Sequence, residues 1–151
     1  MILQSSKLVI DRSQPFDPSV FIGEKGWKID EQDGRSLALV EIDLSEIRLE
    51  NMLRPEDGGS IQGEKKLKRL KAVGHVRLDA AVFKALWDNP YLIPEHWKGK
   101  YVCFEGTVLW SPRGLRFVLF LCLRGSRWDW YYYWLGRNCG DDRPSAVLAS
   151  V

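Results

Sequence analysis

A chain of 151 residues, 45% hydrophobic and 28% charged, is long enough to bury the core of one domain without metals or disulfides. Its 22 basic and 20 acidic side chains leave a formal charge of +2, so any attraction to nucleic acid or an anionic membrane must come from a local patch. Three cysteines are too few, and odd in number, for a secreted disulfide scaffold. The start lacks a signal-peptide pattern, and "FVLFLCL" is too short to span a bilayer as a helix, so a cytoplasmic chain with reduced thiols is expected.

Residues 1–20 read as an extended arm: "KLVI" offers one short edge strand, and the prolines of "SQPFDPS" favour extended or turn backbone over helix. From Trp27, "GWKID", the turn-rich "EQDGR" and the apolar "SLALVEIDL" predict a hairpin or two adjacent strands. "SEIRLENML" fits either a continued strand or a helix capped by Ser45. Residues 54–63, "RPEDGGSIQG", form the clearest loop. Beyond it, "EKKLKRLKAV" carries Leu67, Leu70 and Val73 as a narrow helical stripe that Gly74 ends. In "LDAAVFKALWDNP", Asp79 is the predicted N-cap, Val82, Phe83, Leu86 and Trp87 share a face, and Asn89-Pro90 stops the helix.

Residues 101–135 read as a three-stranded meander, "KYVCFEGTVLW", "LRFVLFLCLR" and "RWDWYYYWL", joined by tight turns at "SPRG" and Gly125-Ser126. Trp110 opposite Leu115 then pairs Val108 with Phe117, Gly106 with Leu119, Phe104 with Leu121 and Val102 with Leu123. The second turn sets Leu123 opposite Trp128, Leu121 opposite Trp130, Leu119 opposite Tyr132 and Phe117 opposite Trp134. One face is therefore apolar, expected to be core beneath the helix of Phe83, Leu86 and Trp87, with Trp128, Trp130 and Trp134 as structural residues. The same register sets Cys103 opposite Cys122, as two thiols rather than a disulfide.

The opposite face mixes Glu105, Arg116, Phe120, Arg124, Arg127, Asp129, Tyr131 and Tyr133. Either the N-terminal strands cover it, or it is a shallow binding surface where tyrosines stack and arginines pair with an anion or carboxylate. Glu105 and Asp129 make a poor hydrolase pair, because their expected separation, on the order of 10–12 Å, exceeds even inverting-glycosidase spacing. The sequence has no nucleophile-elbow, zinc-helix or phosphate-loop motif, and His75 and His96 lack partners at ligand spacing, so no metal or cofactor is expected. A second candidate surface is the cationic helix face of Lys65, Lys66, Lys68, Arg69 and Lys71, suited to phosphates. The following helix offers little but Lys84 and Asp88 for reading bases, and a solvated charged face is the plainer alternative.

Through "SLALVEIDL", "RLDA", "LIPEHW", the aromatic meander and "PSAVLAS", the chain resembles a group of short bacterial hypothetical proteins over roughly residues 21–150. The resemblance implies a bacterial, cytoplasmic origin and transfers no catalytic or binding residue. The expected fold is a single α+β domain: an antiparallel sheet of about five strands, dominated by the C-terminal meander, with two main helices on its aromatic face. The expected role is a non-enzymatic interaction module for a protein or small-molecule partner, centred on Arg116, Phe120, Tyr131 and Tyr133. Nucleic-acid association through the basic helix ranks second, and an enzyme with a non-motif site third.

Overall fold

The computed structural model describes residues 6–149. Its first third runs through β1 (Lys7–Val9), α1 (Pro18–Ile22), β2 (Lys28–Gln32), α2 (Gly34–Leu37), β3 (Glu41–Asp43) and β4 (Ile47–Glu50). Then come β5 (Ile61–Gln62), α3 (Gly63–Val73), β6 (Val76–Arg77), α4 (Ala80–Asp88), β7 (Val102–Trp110), β8 (Arg116–Arg124), β9 (Arg127–Trp134), β10 (Asn138–Cys139) and β11 (Ser145–Leu148). The protein is a mixed α+β fold. Its main sheet has seven strands, in the order β4-β11-β7-β8-β9, with β2 beside β7 and β6 beside β11. All its pairings are antiparallel except that of β11 with β7.

Local capping overrides several expectations in the N-terminal third. Pro18 occupies the start of α1, where a missing N–H costs nothing, and the Asp17 carboxylate accepts the Ser19 and Val20 amides. The expected hairpin after Trp27 is absent, because Asp33 caps α2 where a strand-to-strand turn was expected. Consequently β2 pairs with β7 and β3 with β1. "SEIRLENML" resolves as strand β4, after one short turn capped by Asp43 rather than Ser45. Farther on, α4 carries its predicted cap, with the Asp79 side chain accepting the Ala81 amide, and Gly74 closes α3 at φ 82°.

The β8–β9 hairpin has the register that its Gly125-Ser126 turn dictates, from Leu123 opposite Trp128 to Phe117 opposite Trp134. The β7–β8 pairing departs from expectation. Trp110 lies opposite Arg116 and Leu109 opposite Phe117, but Phe104 lies opposite Leu119 and Val102 opposite Leu121. Residues 105–108 of β7 thus face only Val118 of β8, a wide bulge. The inserted number of residues is odd, so the faces exchange: Leu109 joins the aromatic core, and Val108 the opposite cluster. Cys103 accordingly faces Phe120, not Cys122, which lies opposite Asp129.

The bulge sits where the outer neighbour of β7 changes from β11 to β2. Its backbone groups find partners there: Gly106 N–H donates to Leu78 O at 2.9 Å, Gly106 O accepts Asp33 N–H at 2.8 Å, and Glu105 O accepts an Arg77 guanidinium N–H at 2.8 Å. A Cβ on Gly106 would stand 2.2 Å from the Arg77 carbonyl, so this approach requires glycine.

Two clusters bury the two sheet faces. Phe83 and Leu86 of α4 pack with Phe104, Leu109, Leu119 and Leu121, and Phe21, Trp27, Trp130 and Tyr132 extend the ring contacts outward. Leu67 of α3 packs on the other face, with Cys103, Val108, Val118, Phe120, Cys122 and Tyr133. The two main helices therefore lie on opposite faces. The polar residues of the mixed face are the reason, since α3 supplies the charge that matches them.

Candidate functional site

The mixed face is closed at its centre and open toward β9. Beneath α3, Glu105 is 1% exposed and its carboxylate lies 3.4 Å from the Lys66 ammonium, itself fully buried. Ser145 Oγ donates to the same carboxylate, and Lys66 donates to the Arg143 carbonyl at 2.5 Å. Burial opposes the charge on Lys66, yet Glu105 together with the neighbouring Cys103 and Cys139 holds the amine above the ordinary lysine range. Burial above all, with Glu105 and Cys139 beside it, pushes the neighbouring Cys103 thiol up to about 12, which makes it an inert hydrophobe. Cys103, Cys122 and Cys139 are all buried free thiols.

Arg143 forms the outer edge of this closure. Its guanidinium lies 3.9 Å from the Tyr133 ring centroid, 4.3 Å from Tyr101 and 5.1 Å from Phe120, and one buried guanidinium nitrogen lacks a hydrogen-bond partner. The Tyr133 hydroxyl donates to the Asn138 carbonyl. Phe120, Tyr133 and Glu105 are thus packed inside the protein: of the two expected alternatives, a covered face or an open binding surface, the centre of the face is covered, but by α3 and Arg143 and not by the N-terminal strands. Arg116 is half-buried between Glu64, at 2.9 Å, and Asp30. Asp129 pairs with Arg124 at 3.2 Å, so Glu105 and Asp129 answer to separate cations rather than to one site. Only Arg124, Arg127, Asp129 and Tyr131 retain substantial exposure, with Tyr131 50% open.

The basic helix also divides. Lys66 and Arg69 point inward, Arg69 forking onto Asp57 at 2.6 and 2.9 Å, and Lys71 pairs with Glu31 at 2.6 Å. Lys65 and Lys68 alone remain exposed and outside these pairings, so the expected continuous cationic face is not formed.

Strand β9 supplies the accessible surface. It ends the strand order and, among the described residues, pairs only with β8, without register shift over its full length. The Leu135 amide donates to Arg116 O, so the antiparallel alternation turns odd-numbered residues toward β8 and presents the N–H and C=O groups of Trp128, Trp130 and Tyr132 outward. The Trp130 amide reaches the Asp129 carboxylate at 2.8 Å. Exposed edges are normally blunted by charged side chains, proline or a bulge; β9 has no proline and no bulge, and its charges, Arg127 and Asp129, lie toward its first end. Its Trp134 is 41% exposed.

Arg143, Ser145 and the strand role of "SAVL" escaped sequence reading, because each acquires its place only through distant contacts, "SAVL" with β4 and β7 and Arg143 with Tyr101, Phe120 and Tyr133. Lys66 did leave a signal: it stands four residues before Leu70, on the leucine face of α3. Among the described residues, no helix is long and apolar enough to cross a membrane. No protein-family model, curated protein or solved structure matches the chain.

Proposed function

We propose that this protein is a non-enzymatic binding module that engages an extended segment of a partner polypeptide along β9. The outer edge of β9, which ends the sheet without proline or bulge, carries this reading. An added strand would take main-chain hydrogen bonds from Trp128 and Tyr132, displacing the Asp129 carboxylate from the Trp130 amide between them, and alternate side chains would meet Tyr131, Arg127 and Asp129 on one face. This reading narrows the mixed aromatic and arginine surface to Tyr131, Arg127 and Asp129, with Phe120 and Tyr133 as the packed support beneath Tyr131 (Phe120 and Tyr131 ring centroids 6.5 Å apart). Nucleic-acid association has less support, because Lys66 and Arg69 are spent inside the fold.

A random-peptide display selection tests the reading. Selected peptides should protect the Trp128 and Tyr132 amides from hydrogen exchange and lose affinity for Tyr131→Lys, which places a charge on the edge; because the variant also gives up the Tyr131 ring contacts with Phe120 and Tyr132, its urea midpoint is measured beside the parent's to separate lost binding from lost stability. Peptides that bind and leave those amides unprotected would sink the proposal, as would a selection that enriches nothing.

A further inference from the structure

A cleft of about 580 Å³ opens between α4 and the arm that leads into α1, lined by none of the residues of the proposed strand-docking edge. Ala81 and Ala85 of α4 line it with Val9, Phe16, Val20 and Phe21. Val20 is 78% exposed and Val9 70%, apolar side chains left in water beside a concavity of ligand-site size.

The rim of the cleft is acidic. Asp11, Asp17 and Asp88 line it with a single cation, Lys84, which is already paired with Asp88 at 2.5 Å. Asp11 and Asp17 have no cationic partner among the described residues; local donors occupy them instead, the Ser13 amide for Asp11 and the α1 amides for Asp17. The cleft therefore joins aromatic and aliphatic walls to two carboxylates of unmatched charge.

We infer that this cleft binds a small organic cation, an ammonium group carried on an apolar body. The ammonium offsets the charge of Asp11 and Asp17, while the body removes Val9, Val20 and the outer rings from water. The Phe16 and Phe21 rings lie with centroids 5.5 Å apart and offer faces that attract a cation. A neutral ligand of the same shape gains only the apolar part, and an anion meets uncompensated carboxylates. The cleft has its own reporter, since the Phe21 ring lies 4.6 Å from that of Trp130.

Three probes of similar shape, phenylbutylamine, phenylbutanol and phenylbutyrate, are titrated into the full chain at neutral pH and followed by tryptophan fluorescence and calorimetry. The amine is expected to saturate and to bind more tightly than the alcohol, and the acid least. Combining Asp11→Asn with Asp17→Asn keeps the local hydrogen-bond acceptors but removes both charges, since asparagine caps a helix as well as aspartate does. It should weaken the amine by about fivefold to tenfold and leave the alcohol unchanged. Ala85→Leu, which fills the floor, should weaken both. Equal affinity for the three probes overturns the inference, as does amine binding that neither variant alters. A response to a lysine-rich apolar peptide with none to the amine also overturns it, in favour of a peptide groove.

Discussion

On the α4 face, Phe83, Phe104, Leu119 and Leu121 bury apolar surface against one another, with the Phe83 and Phe104 rings edge-on at 5.5 Å. On the α3 face, the same strands bury Glu105, Cys103, Cys122 and Tyr133, and the helix answers with Leu67 and Lys66. Apolar burial is non-directional and additive, about 1.5–3 kcal/mol for each large side chain. A buried ion pair behaves otherwise: its net contribution is small, but leaving one member behind is costly. The apolar face therefore supplies cohesion, while the polar face specifies where α3 and the β7 bulge sit, because only one register brings Glu105 to Lys66 and Ser145.

The largest expected effect breaks that pair. Glu105→Ala leaves the Lys66 ammonium buried without its carboxylate and should cost about 3–5 kcal/mol in urea unfolding. The next effect separates specification from cohesion. Replacing both partners, Lys66→Met with Glu105→Leu, should return stability to within about 1 kcal/mol of the parent, since neither charge then needs burial. A double variant as unstable as Glu105→Ala would show that the pair contributes net stability, and the contrast between the faces would fail.

The same contrast explains what was legible in the sequence. Asp79, the spacing of Phe83 and Leu86, and the Gly125-Ser126 turn act over a few residues, so α4 and the β8–β9 register follow from local pattern. The β7 bulge does not, because its causes are Leu78, Asp33 and Arg77, far away in sequence and brought together only by the fold. β11 is illegible for a related reason: four residues near the end of the chain become an inner strand through pairing with β4, β6 and β7. The candidate surface was half legible. Tyr131 and Arg127 were placed on the correct strand and face, but nothing in their spacing reveals that α3 and Arg143 close over Phe120 and Tyr133 beside them.

Acid should loosen the α3 face, with the smallest effect. The far side of α3 is clamped by Asp57, whose carboxylate accepts both Arg69 guanidinium nitrogens and the Arg54 amide at 2.6 Å, while Arg69 also reaches the Met52 carbonyl at 2.9 Å. The hydrogen bonds from Arg69 hold the Asp57 carboxyl well below the usual carboxylate range. A folded-state value below the unfolded one means that the clamp stabilises fully above the unfolded pKa, about 3.9, and is lost as pH falls through the folded value. The stability gap between the parent and Asp57→Asn should therefore stay constant above about pH 5 and narrow below it, measured as urea midpoints across a pH series. Hydrogen exchange adds the spatial part: as the pH falls, the amides of α3 should lose protection over the range in which the gap narrows. A gap that remains constant through the acid range, or α3 protection that is the same in the parent and in Asp57→Asn, would show that Asp57 does not hold α3.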